Sequence, residues 1–269
     1  MEGFEKITSR QNQNLAYIRR VRDGREPGLL FIEGSRLAAE AFRSGIVIKM
    51  CVVGEKFPGS AAADEILTKL QDMDIPRFAV SDQILASLAD TKNPQGIILV
   101  AERPTGGLDA IAEACSREPT PLFVFLDRVN DPSNLGAVMR TAEAAGAAGL
   151  IVSDGSADAF SPKAVRASMG AAFRLRTWEK ARLVDAVQWA KGNGMLVLAA
   201  DAGGDTAYTE IDLTRPAMLI FGSEAHGLGP EARDLADIVL CIPLMNGVES
   251  LNLAVSAGIV LFEAARQRG

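Results

Sequence analysis

The sequence predicts an α/β protein of two domains, the larger one built on a parallel sheet covered on both faces. Three observations carry that reading. Helical and strand signals alternate along all 269 residues, the order expected of successive βα units. The strand candidates beyond residue 118 are continuous apolar runs rather than alternating ones, as strands buried on both faces require. A Pro/Gly punctuation, "ERPTGG" at 102–107, divides the chain.

In order along the chain, residues 1–103 form the first, smaller domain. Helices are expected near Ser9–Asp23, Ser35–Ser44 and Ala61–Asp72, and strands in "GLLFIEG", "IVIKMCVVG" and "GIILVAE". Residues 104–117 are a linker holding a short helix, Leu108–Arg117. Residues 118–269 form the second domain, with strands in "PLFVFLD", "GLIVSD", "GMLVLAAD", "AMLIFGS" and "DIVLCIP". Leu251, Val255, Ile259 and Phe262 recur at helical spacing, so the last helix is expected to pack that face on a core. Just before it, "IPLMNGVESLN" is dense in bends and amides. Pro243 ends a strand, Asn246-Gly247 makes a tight turn, and Ser250 is the expected helix cap.

Composition narrows the function. Apolar residues make up 48% of the chain, enough for a sizeable core. No stretch is apolar and long enough to cross a bilayer, and Met1–Arg25 is too polar for a secretory signal, so a cytoplasmic protein without a membrane partner is expected. Cys51, Cys115 and Cys241 are odd in number, lack metal-ligand spacing and lie in or near apolar runs, which reads as buried free thiols. The single histidine, His226, disfavours a Ser-His-Asp triad and a His-rich metal site, and no metal is expected. A net charge of −6 argues against a wholesale polyanion binder. Charge is nonetheless uneven. Ser161–Arg182 carries six basic residues against one acid, and Lys6, Arg10, Arg19, Arg20, Arg22 and Arg25 form a second cluster. Each cluster reads as a solvated helix face or as a phosphate-contacting patch.

Ligands of open α/β sheets bind beyond the carboxyl ends of strands. Three such ends carry unusual residues. In "DRVNDPSNLGAVMRTAEAAG", Pro132, Ser133 and Asn134 look like a helix start, and Gly136 and Arg140 share a helix face. In "FGSEAHGLG", Gly222, Gly227 and Gly229 permit close backbone approach, but the order is neither a dinucleotide fingerprint nor a phosphate loop. In the third, Ser250, Asn252 and Ser256 look like a polar recess beside an amide-rich turn.

Together, "NDPSNLGAVMRTAEAAG", "LIFGSEAHGLG" and "IPLMNGVESLNLAVSAGIVLFEA" resemble, in order and spacing, the three motifs of the SpoU (TrmH-type) RNA 2′-O-ribose methyltransferases. The first domain, through "ITSRQNQNLAYIRRV", "LLFIEGSRLAAEA" and "TKNPQGIILVAERP", is similar to the small substrate-binding domain of rRNA-modifying members, akin to a ribosomal RNA-binding protein fold. The resemblance implies an α/β knot, in which the bent stretch before the last helix is threaded through a loop. Composition would never suggest this, since ordinary chains avoid knots.

The resemblance also implies S-adenosylmethionine as cofactor, contacted by Gly222, Ile242 and Leu251, and a homodimer in which Arg140 reaches the other subunit's cofactor. Arg140, Asn134, Glu224, Ser250 and Asn252 are the implied catalytic set. The implied reaction is methyl transfer to a ribose 2′-hydroxyl, with 23S rRNA as the expected RNA partner and tRNA as the alternative. Arg10, Arg36, Lys163 and Arg166 are the expected RNA contacts, and His226 has no assigned role. A non-catalytic RNA-binding or assembly factor is the competing class. The complete Asn134, Arg140, Glu224, Ser250 and Asn252 set disfavours it.

Overall fold

The computed structural model describes residues 3–224 and 227–269, and contacts divide them into two compact units. The first comprises the chain up to Pro104 together with Phe160–Arg174. Its elements are β1 (Glu5–Ile7), α1 (Gln13–Arg22), β2 (Leu29–Glu33), α2 (Ser35–Ser44), β3 (Ile48–Gly54), α3 (Ala61–Gln71), β4 (Arg77–Val80), α4 (Asp82–Leu88) and β5 (Ile97–Glu102). The strands form a mixed sheet in the order β1-β4-β3-β5-β2, with β5 antiparallel to both neighbours. Leu15, Ile18, Phe31, Val52, Phe78, Leu88 and Val100 fill one core beneath it.

Much of the positive charge of this unit is engaged by its own fold. Arg22 Nη1 donates to the Leu88 carbonyl at 3.1 Å. Arg77 Nη1 donates to the carbonyls of Leu70 and Gln71, both at 2.8 Å, and so closes the end of α3. The buried Glu33 carboxylate accepts from the Asp90 N–H at 2.7 Å and from the Thr91 hydroxyl. Burial pushes the Cys51 thiol up to about 12, against the opposing charge of Arg77, which leaves it an inert core residue.

The second unit is Thr105–Ala159 with Leu175–Gly269. It contains α5 (Leu108–Arg117), β6 (Leu122–Leu126), α6 (Pro132–Ala144) and β7 (Gly149–Ser153). The next helix, α7 (Pro162–Ser168), lies in the segment that packs with the first unit. The second unit resumes with β8 (Arg176–Ala181), α8 (Leu183–Gly192), β9 (Leu196–Ala200), β10 (Thr206–Ala207), β11 (Ala217–Phe221), α9 (Pro230–Leu235), β12 (Ile238–Cys241) and α10 (Leu253–Arg268). Seven parallel strands lie in the order β10-β12-β9-β11-β6-β7-β8. Two strands formed late in the chain thus enter the sheet interior: β11 between β6 and β9, and β12 between β10 and β9.

Of the continuous apolar strands, β6, β7 and β11 are buried throughout and β9 at its three central residues, whereas β12 buries only Leu240. Phe123, Phe125, Val197, Met218 and Ile220 belong to one core, where Phe123 meets Trp189 edge-on at 5.1 Å. Because all seven strands are parallel, the turns after β6, β9, β11 and β12 leave the sheet at the same edge.

Three expectations are corrected. The last helix does not bury Leu251, Val255 and Phe262. Its core face is Leu253, Ala257, Val260, Leu261 and Ala264, while Val255 and Phe262 stay 50% and 53% exposed. Helical spacing identifies an apolar face but not what covers it. Ser250 is not the cap of that helix; Asn252 is, accepting from the Ala254 N–H at 2.9 Å. Only Cys51 of the three free cysteines is buried, and Cys115 and Cys241 are half-buried. The Asn246-Gly247 turn is as expected: both residues have positive φ, 59° and 73°, and the Val248 N–H returns to the Met245 carbonyl at 3.3 Å.

Candidate active site

The turns that follow β6, β11 and β12 are joined by a chain of side-chain hydrogen bonds. Helix α6 begins at Pro132, where the missing N–H costs nothing, and Asp131 caps it by accepting from the Ser133 N–H at 2.9 Å. That start sets Asn134 in the first turn. Asn134 Nδ2 donates to Glu224 Oε1 at 2.8 Å, and its Oδ1 accepts from Asn252 Nδ2 at 3.1 Å. Glu224 Oε2 also accepts from the Asn130 N–H at 3.4 Å. An ionised carboxylate can only accept, so Glu224 fixes which end of the Asn134 amide faces it, and Asn134 in turn fixes Asn252. The cap of α10, the first turn of α6 and the turn after β11 are thereby held in one geometry.

Beside this network lies a cavity of about 330 Å³, lined by residues from the ends of β9, β11 and β12 and from the start of α10. Its polar lining includes Asp201, Ser223, Glu224, Glu249, Ser250 and Ser256. Its apolar lining includes Leu240, Ile242, Leu244, Leu251 and Leu253.

Gly222 is required where it stands. A Cβ there would lie 2.2 Å from the Gly227 carbonyl carbon and oxygen, because Ser223 and Gly227 exchange backbone hydrogen bonds at 3.0 and 2.9 Å. Position 222 therefore has no room for a side chain.

Of the residues singled out from the sequence, Gly222, Glu224, Ile242, Ser250 and Leu251 line the cavity, and Asn134 and Asn252 are joined to it through Glu224. Arg140 is exposed on α6 and is not among the lining residues. Arg10, Arg36, Lys163 and Arg166 all belong to the first unit. The first three are exposed, whereas Arg166 is ion-paired to Asp90 at 2.7 Å and largely committed to the fold. Arg174, from the same basic stretch, pairs with Glu40 at 2.9 Å. His226 lies outside the described residues.

The sequence reading passed over two residues here. Asp201 follows the apolar run of β9, and its place at a strand end was the available signal. Arg128 adopts φ 52°, unusual for a non-glycine residue, and rests its guanidinium on the buried Asp127 carboxylate at 3.1 Å. Nothing in its sequence context indicated that conformation. Among the described residues, no group of His, Cys, Asp and Glu could hold a metal ion, and no helix is long and apolar enough to cross a membrane.

The model of the SpoU rRNA methylase family matches residues 121–262, and that of the MRM3-like substrate binding domain matches residues 5–99. An uncharacterized tRNA/rRNA methyltransferase of Synechocystis is 30% identical over 97% of this chain and 94% of its own. The 23S rRNA (uridine(2479)-2′-O)-methyltransferase of Streptomyces viridochromogenes is 32% identical over 90% of this chain and 84% of its own. Among solved structures, the AdoMet-bound rRNA methyltransferase from Sinorhizobium meliloti superposes with a TM-score of 0.83 at 30% identity, covering 98% of each chain. The SpoU methyltransferase AviRb from Streptomyces viridochromogenes, in complex with AdoMet, superposes with a TM-score of 0.85 at 28% identity, over 96% of this chain and 98% of its own.

Proposed function

The chain belongs to the SpoU rRNA methylase family of S-adenosylmethionine-dependent RNA methyltransferases, and on that premise we propose that it methylates a ribose 2′-hydroxyl of 23S rRNA. One observation carries the reading beyond membership. The Glu224–Asn134–Asn252 chain ties three strand-end turns together beside a cavity of cofactor size.

The cavity suits S-adenosylmethionine. Its volume of about 330 Å³ is within the range of small-molecule sites. Gly222 leaves backbone where a side chain would stand, Ile242 and Leu251 offer apolar cover for a base, and the exposed Glu249 offers a carboxylate to the cationic end of the ligand. When bound, the cofactor supplies a methyl carbon already activated by its sulfonium. The chain's own residues must then align the acceptor oxygen and ease its loss of a proton. Asn134 and Asn252, each held by the other, give the nucleotide a fixed polar edge, with Ser250 beside it. Arg140 offers a guanidinium, which has donors and no acceptor and so is no base. Its role is to bind the neighbouring phosphate and stabilise negative charge developing on the 2′-oxygen.

Arg140 stands on α6, the helix against which α10 packs, and α10 turns Val255 and Phe262 outward. We extend the proposal to a homodimer that covers this face, in which Arg140 of one copy completes the cavity of the other. The late entry of β11 and β12 into the sheet interior supports a threaded segment between Ile242 and Asn252, as the family's knot implies. In the first unit, the exposed Arg10, Arg36 and Lys163 are the proposed RNA contacts, in a domain whose family model is named for substrate binding. Since its substrate is ribosomal RNA, we place the protein in the cytoplasm.

The test is incubation with labelled S-adenosylmethionine and separated rRNA and tRNA, followed by mapping of the alkali-resistant linkage. Label at a ribose of 23S rRNA is expected. Label in tRNA alone would reassign the substrate, and cofactor binding without transfer to any RNA would favour the assembly-factor class. Arg140→Ala is expected to lower turnover at least about 100-fold while the cofactor still binds. Turnover close to that of the wild type would remove Arg140 from the reaction.

A further inference from the structure

We infer that Asp201 reads the ribose diol of the adenosyl group and that Arg233 holds it for that task; the inference rests on the cofactor reading above. Asp201 is the first residue beyond β9, at the carboxyl edge of the parallel sheet, and it lines the cavity. Its side chain is only 10% exposed. One carboxylate oxygen accepts from the Gly203 N–H at 2.8 Å, and the other meets Arg233 Nη2 at 2.7 Å. The backbone is equally fixed, since the Asp201 N–H donates to the Leu240 carbonyl at 2.9 Å. Gly204 lets the turn press against β12, where a Cβ would come within 2.7 Å of Leu240 carbonyl carbon.

A carboxylate offers about four acceptor positions. Two are occupied, which leaves acceptor capacity for a ligand in the cavity. Two adjacent hydroxyls, each a donor, match that capacity, and a strand-end carboxylate meets ribose hydroxyls in other nucleotide-binding α/β folds.

The other carboxylates of the cavity suit other tasks. Glu224 is taken up by Asn134 and Asn130. Glu249 is exposed and has no ion pair among the described residues, which suits it to the ammonium end of the ligand. Asp201 already has its counter-cation in Arg233, so it is better matched to neutral donors than to a second positive charge.

Calorimetry separates these assignments with three ligands: S-adenosylhomocysteine, 5′-methylthioadenosine (which lacks the ammonium group) and the 2′,3′-dideoxy form of the latter. The wild-type protein is expected to bind the dideoxy compound about 10- to 100-fold more weakly than its parent. Asp201→Asn, nearly the same shape, is expected to weaken the first two ligands by a similar factor and to leave the dideoxy compound unchanged. Arg233→Gln should give the same pattern at smaller amplitude. Equal weakening of all three ligands, weakening of S-adenosylhomocysteine alone, or no weakening of any would each overturn the inference. So would a wild type indifferent to the diol, a result that needs no variant to fold. Failure of the wild type to bind S-adenosylhomocysteine at all would instead strike the cofactor reading, and this inference with it.

Discussion

The cavity of the second unit has two unlike walls. One is built by the turns after β9 and β11. Here Gly204 and Gly222 stand against backbone, Asp201 is clamped by Arg233, and Ser223 and Gly227 pair with each other. The other is the stretch from Leu244 to Asn252. There Met245 is 77% exposed, Val248 53% and Leu251 37%, and the organising feature is the Asn246-Gly247 turn. The contrast teaches that the first wall is finished within one chain, whereas the second presents apolar surface that a monomer does not cover. That surface continues onto α10 through Val255 and Phe262. A closed wall suits holding a cofactor, and an open one suits meeting RNA or a second subunit.

Four variants test the contrast, from the largest effect to the smallest. Gly222→Val puts atoms into the closed wall where the Gly227 backbone stands, at a cost of about 3 kcal/mol. Calorimetry should detect no cofactor binding and urea unfolding should show the lost stability; a variant that binds normally would mean that this wall yields. Val255→Asp with Phe262→Asp attacks the open side. The isolated chain should keep its stability within about 0.5 kcal/mol, since both side chains are half-exposed. Sedimentation should show monomers, with turnover reduced as far as in Arg140→Ala. A dimer surviving both charges would place the subunit contact elsewhere.

Asn252→Ala removes a helix cap and the link to Asn134, for about 1 kcal/mol of stability. Turnover should fall by about tenfold, and retention of full turnover would reduce the residue to a cap. The smallest effect concerns the strand beneath the closed wall. Burial pushes the Asp237 carboxyl up, but Lys191 at 2.8 Å and the Val197 N–H at 2.9 Å outweigh it and hold it below its ordinary value near 3.8. A lowered carboxyl contributes stability above the unfolded value, and the contribution fades as the pH falls through the folded one. Asp237→Asn should thus cost at most about 1 kcal/mol at pH 7, because the group is partly exposed. The difference from wild type should shrink in denaturation curves as the pH falls through the lowered folded value. A difference independent of pH would assign the effect to packing.

How far the sequence could be read depended on what each residue reports locally. The apolar runs that became β6, β7, β9 and β11 were legible because burial leaves few polar positions; β12 was legible by its apolar run alone, since only Leu240 of it is buried. β8, an edge strand reading Arg-Thr-Trp-Glu-Lys-Ala, was not, because its exposed side carries charges that look like a helix surface or a loop. The same holds for the basic stretch around it. Charge count suggested an RNA path, yet Arg166 and Arg174 are paired with Asp90 and Glu40, far off in sequence. Asn134, Glu224 and Asn252 were singled out by motif, but their hydrogen bonds span 90 and 118 residues, a separation that local pattern cannot bridge. Asp201 offered only its place at a strand end as a signal, because its partner Arg233 lies on another element.

What the sequence determined by itself was the α/β alternation, the apolar strands and the chemical identity of the three strand-end clusters, because each is written in neighbouring residues through burial, backbone freedom and side-chain type. The tertiary structure alone decided which carboxylate is paired and which remains available. It also decided which face of α10 is core and where a glycine is obligatory. Those outcomes depend on groups brought together from distant parts of the chain, and a hydrogen bond or a steric contact exists only once both partners have been placed.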